Sequence, residues 1–176
     1  KFTMIKTISR ILKVIIKKVL DMIIGPFGYK SVIKDYRGDY YLHKYSSYEE
    51  YKEIQMFWNK KKLNFVWADK NTLKRVGNLL IDKFGDQKKI TGIAHGTRNG
   101  YELEFLKFFS SRIDVIGTDI SDTAINYENT IQWDFHNQKN EWINSKDFVY
   151  TNSLDQSWQP KIAIQTWLNQ IKSNGI

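Results

Sequence analysis

His95-Gly96-Thr97-Arg98-Asn99-Gly100 sets two glycines around an arginine, directly after an apolar run. Glycine lets backbone approach a ligand closely, and a helix that opens after such a loop offers free N–H groups. Asp119 follows 19 residues past Gly100, close to the spacing of the acid that accepts ribose hydroxyls in nucleoside-cofactor sites. Asp134-Phe135 pairs an acceptor for an adenine amino group with an aromatic face. Asn152-Ser153-Leu154-Asp155 adds polar groups where an acceptor substrate would meet a cofactor. Each run alone has a plainer reading, because glycine pairs follow many strands and an Asp ending a strand can simply cap the next helix. Their order, each just past a stretch that reads as a strand, favours one shared ligand.

The elements that must position these runs begin at Lys89. Apolar stretches at 90–94, 115–118, 130–133 and 148–151 read as strands. Helices are expected at 99–110, with Leu103, Leu106 and Phe109 inward, and at 161–172, with Ile162, Trp167, Leu168 and Ile171. Strands alternating with helices imply parallel pairing and right-handed crossovers. The predicted fold is therefore α/β: a doubly wound, mostly parallel, Rossmann-like sheet of about four core strands with a helical N-terminal extension. In such a sheet the ligand sits beyond the carboxyl ends of the strands, at the switch in strand order.

Three regions follow: 1–28, 29–88 and 89–176. Residues 3–24 repeat apolar side chains at helical spacing with lysines between them, and Gly25-Pro26-Phe27-Gly28 ends that helix. This basic amphipathic helix either packs on the protein or lies on an anionic membrane surface. A hairpin is expected at 29–45, turning at Arg37-Gly38-Asp39; that tripeptide reads as a turn rather than an adhesion signal. Ser46 or Ser47 caps the next helix and Glu49 or Glu50 reaches back, and the helix runs toward Lys62. Another helix spans 71–84, on Leu73, Val76, Leu79 and Leu80, and Gly85-Asp86 stops it.

With 41% hydrophobic and 26% charged residues the chain is globular in composition, and without cysteine it has no disulfide, zinc ribbon or thiol catalysis. Of the net charge of +8, residues 1–24 carry +5. The excess is local, so a general nucleic-acid surface is not implied. No G-K-[ST] P-loop is present, and the first loop lacks G-x-G-x-x-G. His95, His136 and Asp119 lack the pair spacing of a metal site, so no metal is expected. His43 is expected to be structural or exposed, and the six tryptophans to be core or pocket wall.

Residues 92–102, Gly-Ile-Ala-His-Gly-Thr-Arg-Asn-Gly-Tyr-Glu, together with Ile116-Gly117-Thr118-Asp119-Ile120 and Thr130-Ile131-Gln132-Trp133-Asp134-Phe135-His136, resemble a class I S-adenosylmethionine-dependent methyltransferase. The likeness is greatest to a branch with an H-G-x-R-x-G-x-E first loop found in bacterial and phage proteins, and it covers 89–176. It implies S-adenosylmethionine as cofactor, held by His95, Gly96, Arg98, Gly100, Glu102, Asp119, Ile120, Asp134, Phe135 and Asn152. The family's usual first motif is acid-x-Gly-x-Gly-x-Gly. Here Gly92 stands at the acid, Ala94 and Arg98 at the first and third glycines, and only Gly96 matches. His95, Arg98 or Glu102 would then replace the acid, and Arg98 would pair with the methionine carboxylate.

The function this implies is methyl transfer to an oxygen or nitrogen nucleophile, with Asp155 as first candidate base and His136 as second. The alternative is a non-catalytic nucleoside-cofactor-binding or scaffold protein with a degenerate methyltransferase fold, which Gly92 and Ala94 favour. The expected partners are a small-molecule or glycan-type acceptor and a membrane surface met by residues 1–24, ahead of nucleic acid. The expected location is the cytoplasm, peripheral at the membrane. The chain starts at Lys1 and stops at Asn174-Gly175-Ile176, which reads as a turn and the first residue of a strand. A fragment is expected, with the later strands of a seven-stranded family sheet beyond Ile176.

Overall fold

Apolar residues interleaved with lysine wind the first 24 residues into a long helix, and the computed structural model follows it from Phe2 to Ile24 (α1, 23 residues). The structure describes residues 2–38, 40–87 and 89–176; Asp39 of the Arg-Gly-Asp turn lies outside the described residues. The chain divides into two compact units, 1–54 and 55–176.

In the first unit a 3-10 turn at Gly25–Phe27 ends α1, closed by Gly28 at φ 75°. Strands β1 (Ile33–Arg37) and β2 (Tyr40–Lys44) form the expected antiparallel hairpin, Ile33 opposite Lys44. Helix α2 (Tyr48–Lys61) opens with a reciprocal cap. Ser47 Oγ accepts the Glu50 N–H at 3.2 Å, while the Glu50 carboxylate accepts the Ser46 N–H at 2.6 Å. Helix α1 is tied down by its polar edge. Lys17 Nζ lies 2.6 Å from Asp21 and 2.8 Å from Glu50, and Asp21 accepts the Ser31 N–H and hydroxyl at 2.7 Å each.

The second unit continues with α3 (Lys70–Phe84), whose cap is Asp69, accepting the Thr72 N–H at 3.0 Å. Strands β3 (Ile90–His95), β4 (Ile113–Asp119), β5 (Thr130–Gln132) and β6 (Phe148–Thr151) form one parallel sheet in the order β5-β4-β3-β6. Helix α4 (Tyr101–Phe109) carries β3 over to β4, and α5 (Pro160–Gln170) follows β6. The other two crossovers hold only 3-10 turns, Asp122–Asn126 and Asn140–Trp142.

Both faces of the sheet are covered. Leu80, Phe84, Leu103 and Leu106 of α3 and α4 pack on Ile90, Ala94, Val115 and Phe148, and Ala163 and Trp167 of α5 pack with Phe135 and Val149. Adjacent Phe148 and Val149 thus face opposite layers, as strand alternation requires. Asp147 pins β6 to β3, accepting the Thr91 N–H and hydroxyl at 2.7 Å and Lys172 Nζ at 2.9 Å. Helix α5 stops two residues before the expected Lys172 because Ile171 becomes extended and bridges Lys146. Ile176 donates its N–H to Asp147 O and accepts from Val149 N, both at 2.9 Å, as a parallel neighbour of β6 does.

Candidate functional site

The chain runs outward from β3 to β4 and β5, then returns to β6 on the other side of β3. In open parallel sheets such a change of direction marks the ligand-binding crevice, here beyond the carboxyl ends of β3 and β6. Gly96 lines it in the left-handed region at φ 73°, and a Cβ there would stand 2.5 Å from Ser153 Oγ, so only glycine fits. The Gly96 and Thr97 N–H groups both donate to Thr118 O, at 2.8 and 3.1 Å. Arg98 also has positive φ, 46°, a conformation that costs a non-glycine residue free energy and must be held by its surroundings. What holds it is Asp119: the Arg98 N–H donates to Asp119 Oδ2 at 2.9 Å. Gly100, at φ 71°, then turns the chain into α4.

Asp119 ends β4 and is 3% exposed. Besides Arg98 it accepts the Ser121 N–H at 2.8 Å and the Asn59 side-chain amide at 2.6 Å. Burial raises its pKa against the pull of these donors. Ile120, half-buried, offers its carbonyl to Gln132. Glu102, in the first turn of α4, is 6% exposed. Its Oε1 meets Asn152 Nδ2 at 3.4 Å, while Oε2 is buried with no hydrogen-bond partner among the described residues. Burial pushes this carboxyl up as well, and the Arg98 charge partly opposes that. A buried, unmatched carboxyl oxygen costs on the order of 1–3 kcal/mol unless a donor reaches it.

Solved structures similar to this chain include a SAM-dependent methyltransferase from Aquifex aeolicus, 17% identical, with a TM-score of 0.43 over 60% of this chain and 68% of that one. No protein-family model and no curated protein matches the chain.

His95 stands apart from the rest of its loop. Its ring is 1% exposed, stacked on Trp167 at 5.5 Å, with Nδ1 2.7 Å from Thr118 Oγ1 and Nε2 2.9 Å from Gln170 Oε1. With the Gln170 oxygen as acceptor, Nε2 carries the hydrogen and Nδ1 accepts from the Thr118 hydroxyl, which fixes a neutral tautomer. Burial lowers its pKa to about 4. The ring joins β3, β4 and α5 instead of facing the crevice.

A second polar group follows β5 and β6. Asp134 Oδ1 accepts the His136 N–H at 2.9 Å and lies 2.5 Å from His136 Nδ1. On the far side of the ring, Nε2 is 2.7 Å from Ser157 Oγ and accepts the Gln159 N–H at 3.3 Å. Asp134, His136 and Ser157 therefore form a carboxylate–imidazole–hydroxyl line, with the Nδ1 hydrogen on the Asp134 side. Phe135 between them is buried against Trp167, and its ring edge lies 3.8 Å from where a Gly96 Cβ would be. Asp155 is exposed and accepts Gln156 Nε2 at 2.7 Å. Among the described residues no group of three acidic or histidine side chains is placed to hold a metal.

Gly96, Arg98, Glu102, Asp119 and Asn152 thus stand together, Gly100 lies beside Thr130 and Tyr127, and Asp134 and His136 form a neighbouring group with Ser157. Asn59 and Ser157 also contribute, and no sequence pattern singles them out. Asn59 sits in the last turns of α2, 60 positions from Asp119, where no local pattern marks it.

Proposed function

We propose that residues 89–176 bind S-adenosylmethionine and that the protein methylates an oxygen or nitrogen of a small-molecule or glycan-type acceptor. The observation that carries this reading is Glu102 Oε2, a buried carboxyl oxygen without a donor beside Arg98 and Asp119. A ligand with an ammonium, a carboxylate and vicinal hydroxyls would satisfy all three groups at once. Glu102 takes the ammonium, which the family's usual acid cannot do from Gly92. Arg98 takes the carboxylate, and Asp119 takes the ribose hydroxyls in place of the Asn59 amide. The sulfonium of the bound cofactor supplies an already activated methyl group, so the protein's part is alignment and exclusion of water.

His136 is favoured over Asp155 as the base. Asp134 orients its ring, and the Ser157 hydroxyl already occupies the position on Nε2 that an acceptor hydroxyl would take. A His136→Asn protein is expected to keep cofactor affinity and lose about 100-fold in methyl transfer to a hydroxyl acceptor.

Titration calorimetry tests the binding step. S-Adenosylhomocysteine should bind the full chain, and absence of binding overturns the proposal. Glu102→Gln should weaken it about 10-fold or more while leaving 5′-methylthioadenosine, which lacks the amino acid end, unchanged. Equal weakening of both ligands removes the ammonium assignment alone. The second reading, a binder without turnover, draws on the Asn59 amide seated on Asp119. It predicts cofactor binding with no transfer to any acceptor.

A further inference from the structure

We propose that α1 docks on an anionic lipid surface, lying in its plane with the apolar face inward. The helix is attached to its own unit by the wrong edge for a core helix. Its polar side makes the contacts, through Lys17 and Asp21 to Glu50 and Ser31. The apolar side chains Ile8, Leu12, Ile15, Val19 and Ile23, spaced by four, three, four and four, form one stripe and are all exposed, Ile15 at 52% and Val19 at 48%. A continuous stripe of this length exceeds the scattered apolar residues of an ordinary surface.

Charge selects the occupant. At about 100° per residue, Lys18 borders the stripe on one side and Lys13 on the other, and both are exposed. Residues 1–24 carry +5 of the chain's +8. An apolar stripe between two cationic rims fits a plane that is apolar below and anionic at its surface, whereas a protein groove would have to supply acids on both walls. Past the helix end Phe27 and Tyr29 are exposed as well, 76% and 57%, and tyrosine is enriched at membrane interfaces. No helix among the described residues is long and apolar enough to cross a membrane.

The test is flotation of the full chain with phosphatidylcholine vesicles, with and without phosphatidylglycerol. The chain should float with phosphatidylglycerol vesicles and release as salt rises. The Lys13→Gln/Lys18→Gln protein should partition about 10- to 30-fold more weakly. The Ile15→Asp/Val19→Asp protein should partition on the order of 100-fold more weakly. Both positions are exposed, so circular dichroism should show the helix retained. A wild-type chain that stays behind, or an Ile15→Asp/Val19→Asp protein that floats normally, overturns the proposal. So does a dimer, seen by light scattering, that the same substitutions split while vesicles go unbound; it would assign the stripe to a second copy.

Discussion

Aspartate at Gly92 is expected to unfold the parallel sheet rather than complete a cofactor site. The first motif of the methyltransferases that this stretch resembles places an acid there, so the substitution looks like a repair. A Cβ on Gly92, however, would stand 2.2 Å from two ring atoms of Phe148, which is buried among Leu80, Ile90 and Leu106. Overpacking of this kind costs about 1–3 kcal/mol. A carboxylate pressed on a phenyl ring adds a buried, unpaired charge worth several more. Together these approach the whole stability of an ordinary domain, roughly 5–15 kcal/mol. Gly92→Ala separates the two terms: it should show the packing cost alone in urea unfolding. Adding Phe148→Ala should then cost less than Phe148→Ala costs in the wild-type chain, because the two substitutions share one space. Strict additivity would mean that the ring does not dictate glycine at this position.

Acid should weaken the same sheet through His95. Its pKa in the folded protein is about 4, against roughly 6.5 in an unfolded chain. Between these values the unfolded state binds the proton that the native ring refuses. Stability is therefore complete above the unfolded pKa and falls as pH drops toward 4. The full shift corresponds to about 3 kcal/mol. Glu102 and Asp119, pushed up by burial, act in the opposite sense as they protonate, so the net acid loss is smaller. His95→Gln isolates the effect: its loss of stability between neutral pH and pH about 4 should be smaller than the wild-type loss by about that amount. Equal losses in the two proteins would show that the ring is not held neutral.

The fold was legible where physics is local. Ile90–His95, Ile113–Asp119 and Phe148–Thr151 are apolar runs bounded by polar turns, and each forms a strand of the parallel sheet. The short crossovers were not legible, because Asp122–Asn126 closes as a single 3-10 turn capped by Ser121, too short to leave a helical period. The crevice glycines could be found from spacing, since Gly96 and Gly100 both need positive φ. What spacing hides is long-range partnership. His95 looks like a loop residue beside Gly96, yet its fate is decided by Gln170, 75 positions away. Ser157 reaches His136 across 21 positions. The orientation of α1 was left open by its sequence, because Lys17 and Asp21 become an inward edge only through Ser31 and Glu50.

The Asn59 amide on Asp119 sets a cost on any ligand that binds there. A ligand that takes this carboxylate must take it from an intramolecular competitor that also touches Arg98 Nε, at 3.3 Å. The competent form is the fraction of molecules in which the Asn59 amide has turned away from Asp119, and the apparent dissociation constant exceeds the intrinsic one by the inverse of that fraction. Asn59→Ala should therefore lower the apparent dissociation constant of any ligand that binds through Asp119.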